Sequence, residues 1–356
     1  MTGQADVIVV TEDAERSRDV ISGIEPYHNV GTVALEALEP EAHPDCLLYV
    51  IDCPVFDREV VALLQALHDH PATAAVPCIY VLNAQTRRDI VRVKDLGAAD
   101  YFVRPIDARK FLKSMSKQIT GAVERSWDKL GEIERAALKV SLKSFEDAFS
   151  AFGEGNPPDT EAVKESSNMV VDAVAEGGFE TFIASVRNHH NYTFRHSMSV
   201  STLLVAFGRA VGASAEDQRM LALGGVLHDI GMAYIPAEIL DKPGRLNEEE
   251  WVIVRQHPVH SWNAIAEFEE VNEDVGRMAY AHHEKLDGSG YPEGWEGEQI
   301  PDLVRMVSIV DVYASMIDKR VYRPPVAPPA AITMMMLMEG HLDMGLVQVF
   351  DKQLLN

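Results

Sequence analysis

The sequence is short of cysteine, of long apolar runs and of positive charge. Its three cysteines, Cys46, Cys53 and Cys78, all lie early in the chain and form no CxxC pair. That spacing excludes a zinc-finger arrangement and leaves thiols that fill core or loop positions in a reducing compartment. No apolar stretch reaches the roughly 18 residues needed to cross a bilayer. The longest candidate, Val304 to Ile317, is interrupted by Asp311. The opening Met1-Thr2-Gly3-Gln4-Ala5-Asp6 lacks the basic region and apolar stretch of a signal peptide, so the expected location is cytoplasmic. Lysine and arginine number 32 against 55 acidic residues, a net charge of −23. Such a chain repels a nucleic acid polymer and an anionic membrane, and neither is expected as a partner. A small anionic substrate stays open where metal cations or local basic residues neutralise it.

With 356 residues the chain is long enough for two domains, each with its own core. In the first 120 or so residues, Val7-Ile8-Val9-Val10, Leu47-Leu48-Tyr49-Val50-Ile51 and Cys78-Ile79-Tyr80-Val81-Leu82 read as fully buried strands. Asn29 to Val33 and Tyr101-Phe102-Val103 are weaker strand candidates. Helical spacing over Ala14 to Gly23, Asp57 to His70 and Thr86 to Leu96 supplies the crossovers of a parallel α/β sheet. One helical register is expected from Ala108 to Phe152, with an apolar stripe of Leu130, Ile133, Ala137, Val140 and Leu142. That stripe suits a connector or a dimerising helix, so a homodimer is expected. Gly153-Glu154-Gly155-Asn156-Pro157-Pro158 then marks a boundary. The expected division is 1–120, a helical linker 121–158, and 159–356.

Beyond Thr160 the pattern is helical throughout, over Glu161 to Ala175, Ser197 to Val211, Glu216 to Leu227, Glu248 to Phe268 and Asp302 to Met316. Thr160 and Asn247 look like N-caps. This half is read as all-α, and its notable residues are metal-ligand types: His196, His228-Asp229, His257, His282-His283 and Asp311. Imidazoles and carboxylates together suit Fe, Mn or Zn, and an Asp can bridge two ions through its two oxygens. Such a pair of ions, about 3.5–4 Å apart, lowers the pKa of a bridging water toward roughly 7 and makes it a nucleophile for phosphorus. Taken singly, a His such as His196 or His257 is more often a core or surface residue than a ligand. The neighbouring imidazoles of His282-His283 are harder to place without a metal or a charge.

The words around these residues decide between the readings. His228-Asp229-Ile230-Gly231, His257-Pro258, His282-His283-Glu284-Lys285-Leu286-Asp287-Gly288-Ser289-Gly290-Tyr291-Pro292 and then Asp311 resemble the HD-GYP family of helical metal-dependent phosphohydrolases. Asn191-Tyr192-Thr193, Ile239-Leu240 before Lys242-Pro243-Gly244, and Lys319-Arg320-Val321-Tyr322-Arg323 extend the likeness across roughly residues 160–356. The resemblance implies an HD-type helical domain that hydrolyses cyclic di-GMP to pGpG and often onward to GMP, using two transition-metal ions, Fe or Mn. It implies that His196, His228, Asp229 and Asp311 hold one ion. His257, His282 and His283 hold the other, with Asp229 bridging. His228 and Asp229 form the catalytic pair. Lys285, Gly288, Gly290, Tyr291, Pro292 and Arg320 become substrate contacts, the glycines giving the turn its backbone freedom.

Two departures bear on this. Three residues after the Asp, where the family usually has a lysine, stands Met232, which carries neither charge nor donor. Where some members place a glutamate for a third metal, one turn before the first His, stands Tyr192, so two metals are expected. His189 and His190 fall outside the motif.

The first half resembles a response-regulator receiver, a flavodoxin-like parallel sheet. Gly97-Ala98-Ala99-Asp100-Tyr101-Phe102-Val103-Arg104-Pro105 looks like the fifth strand and its approach, and Pro44-Asp45 precedes the third. Its chemistry is replaced. Thr11-Glu12 stands for the paired acids, Val50 falls at the phosphoacceptor position, Asn83 stands for Thr or Ser, and Arg104 for Lys. Asp52 is displaced by two residues, and no phosphoacceptor is expected. This half is read as a pseudo-receiver for dimerisation or docking of a signalling partner. Two alternatives stand beside the phosphodiesterase: a weakly catalytic scaffold that binds the cyclic dinucleotide, and a phosphohydrolase for another nucleotide such as a mixed cyclic dinucleotide.

Overall fold

A computed structural model describes residues 5–44, 46–187, 189, 191–240, 242, 244–268, 271–318 and 325–355. The chain divides into two compact units, 1–126 with 188–190, and 127–187 with 191–356.

The first unit is built on a five-stranded parallel sheet: β1 (Val7–Thr11), β2 (Val30–Val33), β3 (Leu48–Asp52), β4 (Cys78–Leu82) and β5 (Asp100–Val103), in the order β2-β1-β3-β4-β5. That is the doubly wound order of flavodoxin-like sheets. Every residue of β1, β3 and β4 is buried, because crossover helices cover both faces, and both weaker strand candidates join the sheet as edges. Asp57 and Thr86 are N-caps of the helices Arg58–Asp69 and Arg87–Asp95, accepting from Glu59 N and Asp89 N. The first helix begins only at Arg18, since Asp13 Oδ1 draws the N–H groups of Glu15 and Arg16 into a turn.

The sequence places the reacting position of this sheet at Val50, but Val50 is enclosed within β3. The side chain at the carboxyl edge is Asp52, beside Thr11 at the end of β1. Arg104 donates to both its oxygens, at 2.8 and 2.7 Å, and Ser17 Oγ donates to Oδ2. The same guanidinium donates to Asp19 at 3.0 Å. Arg104 bridges two carboxylates, and the charge they share holds it protonated.

Helical register is broken at Trp127–Lys129, a single 3₁₀ turn, where continuity to Phe152 was expected. The helix Ala108–Ser126 ends before that turn, and Glu132–Gly153 begins after it, with Gly131 at its N-cap. The second of these packs within the helical unit against Thr160–Gly177. Its buried face is Ala137, Leu138, Ser141, Ser144, Phe145, Ala148 and Phe152. Ser141 and Ser144 are small enough for close helix contact, yet they disguise that face in an apolar count. Asp159 rather than Thr160 caps Thr160–Gly177, accepting from Ala162 N. The expected helix over Glu248 to Phe268 is two, Glu248–Val254 and His257–Ala266. Pro258 causes the break: it has no N–H to offer the Val254 carbonyl, and the His257 ring takes that carbonyl instead, at 2.8 Å.

Two helices form the spine of this unit, Tyr192–Ala210 and Asp302–Ile317. Leu203, Leu204 and Phe207 pack with Val307, Val310, Tyr313 and Phe350. Each large side chain so buried contributes roughly 1.5–3 kcal/mol. No helix among the described residues is long and apolar enough to cross a membrane.

Candidate metal centre

The helical unit gathers His196, His228, Asp229, His257, His282, His283 and Asp311 at one place. Asn191 caps Tyr192–Ala210, accepting from Phe194 N, and so fixes the start of the helix that carries His196 at the beginning of its second turn. His228-Asp229 follows Ala215–Leu227, His282-His283 follows Glu273–Ala281, His257 opens its helix, and Asp311 lies midway along Asp302–Ile317. Ser261 fastens two of these segments, donating to His228 O and accepting from Gly231 N, both at 2.9 Å. Gly231 is required there, for a Cβ would lie 2.2 Å from His257 O.

Asp229 stands between two sets of imidazoles. Its Oδ2 faces His228 Nε2 at 3.5 Å and His196 Nε2 at 3.8 Å. Its Oδ1 faces His257 Nε2 at 3.1 Å and His282 Nε2 at 3.6 Å. Asp311 reaches His196 Nε2 at 2.9 Å with one oxygen and His283 Nδ1 at 3.8 Å with the other. The groups able to hold an ion are His196–His228–Asp311, His257–His282–His283 and His228–Asp229–His282, each with donor atoms within 4.8 Å of one another. All are buried except His283, which is half-buried.

The protons in this cluster fit a metal. His228, His257 and His282 each place Nδ1 2.8 Å from a backbone carbonyl, of Gly225, Val254 and Ala279. Nδ1 must donate there, which leaves a lone pair on each Nε2. Yet His228 Nε2 lies 3.4 Å from His196 Nε2, and His257 Nε2 lies 3.3 Å from His282 Nε2. His196 Nε2 can donate, since it lies 2.9 Å from Asp311 Oδ1, but neutral His257 and His282 rings turn two lone pairs toward one another, an arrangement that a cation between them relieves. Asp229 Oδ1, buried, then has no donor either. The donor set could hold divalent metal ions.

Burial pushes the His228 imidazole down to about 4, and it also holds His283 well below the ordinary value, with His282 and His257 adding to it. Burial pushes the Asp229 carboxyl up, but His228, His257 and His282 outweigh it and hold the group well below the ordinary range. For His282 burial acts downward and Asp229 overcomes it. The sign for metal-free protein follows. His228 contributes stability that is present above the unfolded value of 6.5 and lost as pH falls toward about 4, and His283 acts in the same direction. His282 contributes in the opposite sense. The unfolding transition of the metal-free helical unit is expected to move to lower temperature between about pH 6.5 and 4. The His228 contribution is on the order of 3 kcal/mol. A transition that holds or rises on acidification is the contrary result.

Beside the cluster lies the Gly-Tyr-Pro turn. Gly288 has φ +76°, and Gly290 comes so close to the backbone that a Cβ would lie 2.5 Å from Lys285 N. The Tyr291 ring lies 4.8 Å from the His283 ring, Pro292 follows it, and Lys285 is half-buried. Arg320 lies outside the described residues, as do His190, Asp45 and Pro243. Met232 is half-buried in the turn Ile230–Tyr234. Tyr192 stacks on His196, the rings 5.7 Å apart and within 8° of parallel.

Two residues here had no role in the sequence reading. Glu284 is buried, and its carboxylate accepts from the N–H groups of Glu293, Gly294 and Trp295 at 2.7, 3.1 and 3.0 Å. The signal was an acid four residues before Gly288, at the approach to a glycine-rich turn. Arg255 lies over the Tyr291 ring, its guanidinium carbon 5.4 Å from the centroid. A lone arginine two residues before a histidine carries no sequence signal.

Helices around a cluster of His and Asp donors define a class, the HD domain, and residues 180–346 match that family's model. A cyclic di-GMP phosphodiesterase of Pseudomonas aeruginosa is 34% identical over 170 residues, 48% of this chain and 41% of that protein. A 3'3'-cGAMP-specific phosphodiesterase of Vibrio cholerae is 36% identical over 162 residues, 45% of this chain and 37% of its own. The chain thus spans about two fifths of the length of these curated relatives. In fold, it is similar to a solved HDG"Y"P protein from Bdellovibrio bacteriovorus, with a TM-score of 0.52 and 19% identity, over 67% of this chain and 79% of the other. The helical unit is similar to HD domains in sequence and in fold, and it follows a flavodoxin-like α/β unit.

Proposed function

We propose that the chain is a metal-dependent phosphodiesterase that hydrolyses cyclic di-GMP to pGpG, GMP or both. The observation that carries this is Asp229, whose two oxygens face two separate sets of imidazoles. Two divalent ions held there, Fe or Mn, would supply an activated water and Lewis acidity toward the phosphoryl oxygens. His196, His228 and Asp311 would hold one, and His257, His282 and His283 the other, with Asp229 shared. The protein's part is to keep Nε2 of His228, His257 and His282 unprotonated through the backbone bonds at Nδ1 and to bury the cluster. Tyr192, stacked on His196, supports two ions rather than three. Tyr291, Gly288, Gly290 and Pro292 would shape the wall for the dinucleotide, with Lys285 and Arg320 toward its phosphates. A homodimer, and docking of a signalling partner on the first unit, belong to the same proposal.

A mixed cyclic dinucleotide is a second reading, favoured by the name of the Vibrio relative. A weakly catalytic scaffold is a third, favoured by Met232. One experiment separates them: anaerobic purification, metal analysis, then incubation with cyclic di-GMP and 3'3'-cGAMP in competition. About two ions per chain and linear product from cyclic di-GMP are expected. Preference for cGAMP moves the substrate, tight binding without product favours the scaffold, and absence of bound metal removes the proposal.

A further inference from the structure

A phosphodiester brings negative charge into a chain of net charge −23, and Met232 offers it no cation. Among the described residues, the positive side chains at the Gly-Tyr-Pro turn are Lys285, within it, and Arg255, over it. Arg255 ends the helix Glu248–Val254 and donates its N–H to Trp251 O at 2.9 Å. Its guanidinium lies over Tyr291, and Tyr291 in turn lies against His283. One aromatic ring therefore separates this cation from the metal-ligand cluster. Arg104, Arg195, Arg277 and Arg305 are each paired with a carboxylate. Arg255 makes no ion pair with another described residue, and it is exposed. A guanidinium held over a ring keeps its N–H groups available for a planar or phosphate acceptor.

We propose that Arg255 is the substrate-phosphate cation of this site, reaching the dinucleotide from the Tyr291 side and supplying the charge that Met232 lacks. This rests on the phosphodiesterase reading above. On metal-loaded protein, the test compares wild type, Arg255→Ala, Arg255→Lys and Arg255→Ala with Met232→Lys. Both binding and turnover of cyclic di-GMP are followed. Arg255→Ala is expected to lower kcat/KM by about 10²-fold, as for loss of one charged contact in the transition state, and to weaken binding, with metal content unchanged. Arg255→Lys keeps most of the activity, and Met232→Lys restores most of what Arg255→Ala loses. An Arg255→Ala protein equal to wild type overturns the proposal. So does a loss that neither lysine rescues, which would make Arg255 a support of the turn alone. Protein that binds but does not hydrolyse removes the phosphodiesterase reading, while weaker binding by Arg255→Ala still supports this contact. Wild type that does neither removes both.

Discussion

If Asp229 bridges two ions as proposed, Asp229→Asn is expected to leave a folded protein that holds at most one ion and has lost at least about 10³ in turnover. Asparagine keeps the shape but has one oxygen, so it can face one imidazole set as an acceptor and must turn an amide N–H toward the other. That N–H suits an unprotonated Nε2, of His257 on one side or His228 on the other, whose lone pairs are directed inward. The substitution therefore adds a hydrogen bond to the metal-free cluster while removing the shared ligand. Folding survives for this reason, and the loss falls on metal affinity and on stabilisation of transition-state charge, worth several kcal/mol. Metal content, thermal transition and turnover measured together check the point. Full metal content with wild-type turnover would remove Asp229 from its bridging position.

The second large effect is expected at Glu284. In Glu284→Ala the N–H groups of Glu293, Gly294 and Trp295 lose a charged acceptor at once. An unsatisfied buried donor costs about 1–3 kcal/mol, and this loop is partly open, so water recovers some of that. A net of about 2–4 kcal/mol against local order corresponds to roughly 30- to 1000-fold faster amide exchange at those positions. Tyr291 rides on the same loop, through Tyr291 N to His283 O at 3.2 Å, so KM for the dinucleotide should rise. Metal content should not change, because His282 is held through Ala279 O and not through the loop. Glu284→Gln, which keeps one acceptor oxygen, should fall between. Unaltered exchange at 293–295 in the alanine variant would show that the carboxylate does not hold the turn.

The His and Asp cluster was legible because its residue types are rarely assembled without a shared purpose, and the words around them order the list. The parallel sheet was legible because β1, β3 and β4 are covered on both faces and therefore read as unbroken apolar runs. What escaped depends on contacts formed only after folding. Ser141 and Ser144 lie on a packed face that polarity conceals. Pro258 divides a helical pattern whose apolar spacing runs through it. Asp52 replaces Val50 at the sheet edge because the end of β3, not a count along the motif, decides which side chain emerges. Arg255 acquires meaning only from a ring 36 positions along the chain, at Tyr291.

The carbonyls of Gly225, Val254 and Ala279 that receive the imidazole protons belong to the last turns of helices, or to a helix's final residue. Three helix dipoles thus point their negative ends at the same spot, each equivalent to about half an electron charge at full strength. Asp229 and Asp311 add their own charges. The polypeptide by itself therefore attracts cations and turns away a phosphodiester. On the proposed function, metal loading would therefore come first and the anionic substrate only after it.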